Sequence, residues 1–84
     1  MKDSDVITIN NAVELRIREL LSQRKMSQYR LEQNSGISHS QMSFILKNRN
    51  NSVNFKTIIM LANGFGMKVI KFFDSPYFNN LDIE

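Results

Sequence analysis

The side chains best suited to chemistry stand close together: His39, Ser40 and Gln41 in succession, then Ser43 and Phe44. An imidazole, hydroxyls and a primary amide can each exchange hydrogen bonds with a polar partner, and the amide can donate and accept at once. That is the chemistry of recognition. Bond-making has few candidates, because the 84-residue chain has one histidine and no cysteine. It also has no glycine-rich phosphate loop and no pair of acids beside a base, so an enzyme is not expected. Neither disulfides nor thiolate metal sites are possible, and a lone His39 cannot hold a metal ion. No metal and no cofactor are expected.

The elements that must position these side chains lie within 28–47, QYRLEQNSGISHSQMSFILK, which reads as two short helices meeting at Gly36. In the first, Leu31 is the clearest inward residue, with Tyr29 and Ser35 flanking it at helical spacing. Glycine takes the left-handed conformation cheaply, so Gly36 can turn the chain sharply after the helix. Ile37 then anchors the turn. Ser38 and Gln41 have the spacing of a capping box, in which the hydroxyl accepts from a first-turn amide and the glutamine side chain reaches back. Met42, Ile45 and Leu46 follow at i, i+3 and i+4 as an inward face, leaving His39, Ser40, Ser43 and Lys47 outside. This is a helix-turn-helix layout, whose second helix lies in the major groove of DNA.

From about 11 to 73 the sequence resembles the phage-repressor and Cro-like (XRE-type) helix-turn-helix family. The resemblance rests on Met26-Ser27-Gln28 opening the first motif helix, Leu31, Gly36-Ile37-Ser38, Met42, Ile45, and later Leu61-Ala62 with Phe65-Gly66, in order and correctly spaced. It implies an all-α, five-helix lambda-repressor-like DNA-binding domain with the motif at helices 2 and 3. It further implies a sequence-specific transcriptional regulator, expected to be a repressor, that binds double-stranded DNA as a homodimer on an inverted repeat. Two residues depart from the family pattern. Glu32 stands where alanine is usual, and Leu46 stands where many members have a glutamate that pairs with a helix-one arginine. Arg18 matches that arginine, so the pair cannot form here.

Charge agrees with the motif. The window 24–56 holds Arg24, Lys25, Arg30, Lys47, Arg49 and Lys56 against Glu32 alone, whereas the net charge of the whole chain is only +3. A solvated basic surface would look the same by charge alone, but coincidence with the two-helix motif favours phosphates as the partner. The chain suffices for one small domain. No apolar run approaches the roughly 20 residues of a membrane span, and the first residues lack a signal peptide's order, so the expected location is cytoplasmic and no membrane partner is expected.

Read in order, 1–9 is expected to be an extended N-terminal arm, 10–73 the DNA-binding domain and 74–84 an acidic, frayed tail. The first helix is expected to be capped by Asn10 or Asn11, with Val13, Ile17, Leu20 and Leu21 inward and Arg16, Arg18 and Glu19 outward or flanking. Ser27 caps the second helix. Gln28 in its first turn can clasp a phosphate, as the family resemblance implies, or simply face solvent. Lys47, Asn48, Arg49 and Asn51, in the loop after the reading helix, are further candidates for the DNA backbone. Asn54 caps a fourth helix, with Phe55, Ile58, Leu61, Ala62 and Phe65 inward. Residues 68–73 form a fifth, with Val69 and Phe72 inward.

Base reading falls to His39, Ser40, Gln41, Ser43 and Phe44. Gln41 suits adenine by type but is purely structural if it completes the capping box; Phe44 can touch a thymine methyl or pack on the N-terminal arm. Ile59, Met60, Ile70, Phe73, Tyr77 and Phe78 exceed what so small a core can bury. They are expected to form a homodimer interface, or else Tyr77 and Phe78 fold back over Ile70 and Met60. The alternative function is a protein-interaction module of the same fold, such as an antitoxin or anti-repressor.

Overall fold

The computed structural model describes residues 7–47 and 53–82. Five helices, α1 (Ile9–Arg24), α2 (Gln28–Ser35), α3 (His39–Lys47), α4 (Phe55–Gly64) and α5 (Val69–Phe72), are followed by a 3-10 turn at Pro76–Phe78. Two short strands, β1 (Ile7–Thr8) and β2 (Leu81–Asp82), pair in parallel, Ile7 opposite Leu81 and Thr8 opposite Asp82. The all-α, five-helix expectation therefore holds. The frayed tail does not, because β2 returns to pair its backbone with β1, within the stretch expected to be an extended arm.

Polar side chains at the helix starts take up backbone amides that the helices leave unpaired. Thr8 Oγ1 accepts from Asn11 N at 3.2 Å, so α1 begins at Ile9, before the asparagines expected to cap it. Ser27 and Asn54 cap α2 and α4 as expected, accepting from Arg30 N and Thr57 N. Gly36 ends α2 at φ +79°, the left-handed conformation that the turn requires. Lys25 ends α1 in the same region at φ 53°, an uncommon conformation for a residue with a Cβ.

The helices converge on Val13, Ile17, Leu20, Leu31, Ile37, Met42, Ile45, Leu46, Ile58, Leu61, Ala62, Phe65 and Phe72, all buried. Each larger apolar side chain contributes about 1.5–3 kcal/mol on burial, and no disulfide supplements them in a chain without cysteine. Leu21 and Val69 pack against this core from its edge. Phe55 does not, being 62% exposed at the start of α4. Tyr29, which flanks Leu31 on α2, is likewise exposed.

Arg16 departs from expectation in the opposite sense. Placed outward or flanking by its polarity, it is buried, because α5 ends against α1 and turns its last carbonyls toward the guanidinium. Arg16 Nε donates to Phe72 O and one terminal nitrogen to Lys71 O, both at 2.7 Å, while the other meets Glu19 Oε1 at 2.9 Å. Arg24 similarly donates to the carbonyl of Phe65. Guanidinium groups on α1 thus fasten the C-terminal part of the bundle.

Candidate nucleic-acid interface

The site is built on α2 and α3. Ile37 is buried between them, Met42, Ile45 and Leu46 seat α3 on the core, and Ser38 Oγ accepts from Gln41 N at 3.1 Å to start the helix. The second half of the expected capping box is absent. Gln41 Nε2 reaches away to Thr57 Oγ1 on α4, at 3.4 Å, because α4 brings a hydroxyl within range. With its inward face fixed, α3 turns His39, Ser40, Gln41, Phe44 and Lys47 outward as exposed residues, with Ser43 half-buried beside them.

The expected base-reading residues therefore lie together on one helix face. Among them Phe44 is half exposed as a bare aromatic, and His39 and Gln41 already have partners on neighbouring helices. Of the expected backbone contacts, Ser27 and Gln28 sit at the N-terminus of α2 and Lys47 at the C-terminal end of α3. Asn48, Arg49 and Asn51 lie outside the described residues. Arg18, deprived of a glutamate partner at Leu46, still reaches that residue. It donates to the Leu46 carbonyl at 3.1 Å and pairs with Glu14 at 2.9 Å, so α1 holds the end of α3 through backbone where a side-chain pair is impossible.

Glu32 is the residue whose part in the site could not be read from its type. It is buried under the junction of α2 and α3. Its Oε2 accepts from Gln28 Nε2 and lies against His39 Nδ1, each at 2.9 Å. The hydrogen bonds from Gln28 and then His39 hold the Glu32 carboxyl below its ordinary range, against the opposing effect of burial. A residue expected to bind phosphate and one expected to read bases are thereby joined through one carboxylate. The signal available in the sequence was an acid at a small-residue position, seven residues before the lone histidine.

The apolar surplus divides. Phe73 and Phe78 pack edge-to-face with centroids 4.9 Å apart and both contact Phe72; with Met60 they lie on the protein's own core. Tyr77 is half-buried. Ile59 at 37% and Ile70 at 75% remain exposed, and Ile70 borders a shallow cleft with Lys71, Phe73 and Asp74. The fold-back thus covers Phe78 but leaves Ile70 bare.

Among the described residues no helix is long and apolar enough to cross a membrane, and no cluster of acids and histidine could hold a metal ion. A family profile described as a Cro/C1-type helix-turn-helix DNA-binding domain matches residues 16–70, which run from the middle of α1 into α5 and contain both motif helices. No curated protein and no solved structure matches the chain.

Proposed function

Because the chain belongs to the family of Cro/C1-type helix-turn-helix DNA-binding domains, we propose that it is a sequence-specific transcriptional regulator, a repressor, that binds an inverted-repeat operator as a homodimer. The observation that carries this reading is the division of α3: Met42, Ile45 and Leu46 are buried, while hydrogen-bonding side chains with Phe44 and Lys47 occupy its open face. Such a face enters the major groove, where each base pair presents a distinct pattern of donors, acceptors and methyl groups. Ser27 and Gln28 at the start of α2, with Lys47 at the end of the reading helix and Asn48, Arg49 and Asn51 following it in sequence, fix register on the phosphates. Two copies related by a two-fold axis place their α3 helices about 34 Å apart, one turn of DNA.

Selection of bound fragments from the source genome tests this. The expected result is a palindrome with half-sites one helical turn apart, bound with an affinity that falls steeply with salt. Enrichment of no sequence, or binding indifferent to salt, refutes it. The exposure of Ile70 favours a second reading, a protein-interaction module of the same fold such as an antitoxin or anti-repressor. A different protein that co-purifies stoichiometrically and is lost on Ile70→Glu would support that reading.

A further inference from the structure

His39 is the first residue of the reading helix, and its side chain is 76% exposed although Nδ1 faces the nearly buried Glu32 carboxylate. An ionised carboxylate can only accept, so the bond at 2.9 Å requires a hydrogen on Nδ1. In a neutral imidazole only one ring nitrogen carries hydrogen. Nε2, on the open edge of the ring, is then left with a lone pair. Protonation of the ring leaves the Nδ1 bond in place and converts Nε2 from an acceptor into a donor.

Resting on the DNA-binding reading above, we propose that Glu32 determines which base group His39 recognises. By fixing the hydrogen on Nδ1, it makes neutral His39 an acceptor for the exocyclic amino group of adenine or cytosine; once the ring is protonated, Nε2 donates instead, to guanine, thymine O4 or adenine N7 but to nothing on cytosine. His39 touches the base; Glu32 is a positioning residue. Gln28 Nε2 donates to the same carboxylate oxygen and holds it in place. The groups lining the cleft beside His39 are Gln28, Tyr29 and Glu32, all on α2, so Glu32 supplies the negative charge and Tyr29 is the other titratable neighbour. An imidazole is the side chain whose charge ordinarily changes within the physiological range, so pH is the variable to scan.

His39 is the only histidine in the chain, so ring 15N spectra report its tautomer without overlap. In wild type at about pH 8, where histidine is ordinarily neutral, the expected species carries hydrogen on Nδ1, and Glu32→Ala is expected to populate the other tautomer. A wild type carrying it on Nε2 overturns the proposal. The second measurement selects duplexes bound by the full chain at about pH 8 and about pH 5.5, on either side of histidine's usual titration. At one position per half-site, guanine and thymine are expected to gain at low pH over cytosine, which offers a donor and no acceptor there. The preference should change by about twofold to tenfold, the range of one hydrogen bond. His39→Ala should flatten that position at both pH values, and Glu32→Ala should weaken the high-pH preference. The wild-type comparison decides the matter even where Glu32→Ala does not fold. A clear operator whose base preferences do not change with pH overturns the role of Glu32 alone. A wild type that enriches no sequence at either pH overturns the DNA-binding reading and this proposal with it.

Discussion

Gly64→Ala sets helix propensity against packing, and the structure says which wins. Gly64 is the last residue of α4 and is buried against α2. Propensity alone makes alanine the better residue in a helix by about 0.5–1 kcal/mol. A Cβ at this position, however, would lie 2.8 Å from Ser35 Cβ, 2.9 Å from Leu31 Cδ1 and 3.2 Å from Ser35 Cα. Carbon atoms pack favourably at about 3.5–4.0 Å, so all three contacts are repulsive. The Ser35 atoms belong to the backbone and the first side-chain position and cannot swing aside. Leu31 is fully buried, so its side chain cannot turn out into solvent. Relief requires α2 to move away from α4, across a seam also spanned by the bond from Asn34 Nδ2 to Gly64 O at 3.3 Å. Overpacking of this kind costs typically about 1–3 kcal/mol, which outweighs the propensity gain. A net loss of about 1–2 kcal/mol is expected, and each kcal/mol lowers Tm by about 4–8 °C in a domain of this size. Urea denaturation followed by circular dichroism measures it. Ser35→Gly removes the nearest Cβ, so the double variant should lose less than the sum of the singles, with a coupling of about 0.5–2 kcal/mol. A Gly64→Ala variant as stable as wild type, or additive losses in the cycle, would refute the close-approach argument.

Gly36→Val should destabilise the fold by at least about 1–2 kcal/mol, since a β-branched side chain is strained at φ +79°; an unchanged melting temperature would contradict the role assigned to this turn. Lys47→Ala should weaken specific and random DNA binding alike and flatten the slope of log affinity against log salt by about 1, whereas an altered base preference at constant slope would make Lys47 a base reader. Ile70→Glu should shift sedimentation toward monomer and weaken binding to a full palindrome more than to a half-site; a wild type already monomeric at high micromolar concentration, with the variant unimpaired, would remove Ile70 from the dimer interface. The Glu32 carboxyl titrates below its unfolded value, so its contribution to stability is complete above the ordinary glutamate range and is lost as pH falls through the depressed value. Urea midpoints between about pH 7 and 3 should therefore fall less steeply for Glu32→Gln than for wild type, and identical acid limbs would count against the Gln28–Glu32–His39 linkage.

Much of the site was legible locally because its determinants are local. A cap, a glycine at positive φ and apolar residues at i, i+3 and i+4 act within a turn or two of helix, so Ser27, Gly36, Ser38 and the inward face of α3 follow from spacing. The outward placement of His39, Ser40, Gln41 and Lys47 follows from that face being fixed. Where Gln41 failed to complete its capping box, the competing partner was Thr57, sixteen residues away on another helix. No local pattern could announce it.

The helical order, the turn at Gly36, the concentration of positive charge around the motif and the face that α3 presents all follow from the order of residues along the chain. Each depends on residue type and short-range periodicity. The fates of the long polar side chains and of the two strands near the chain ends depend instead on how the helices pack. Arg16 is buried because the last carbonyls of α5 face it, and Arg18 finds the Leu46 backbone in place of a side chain. Phe73 and Phe78 meet over Phe72. β2 returns to pair with β1, and Glu32 comes to lie between Gln28 and His39. A charged or aromatic side chain has several acceptable environments, and the one it occupies is set by which distant groups the packed helices bring within hydrogen-bonding or van der Waals range.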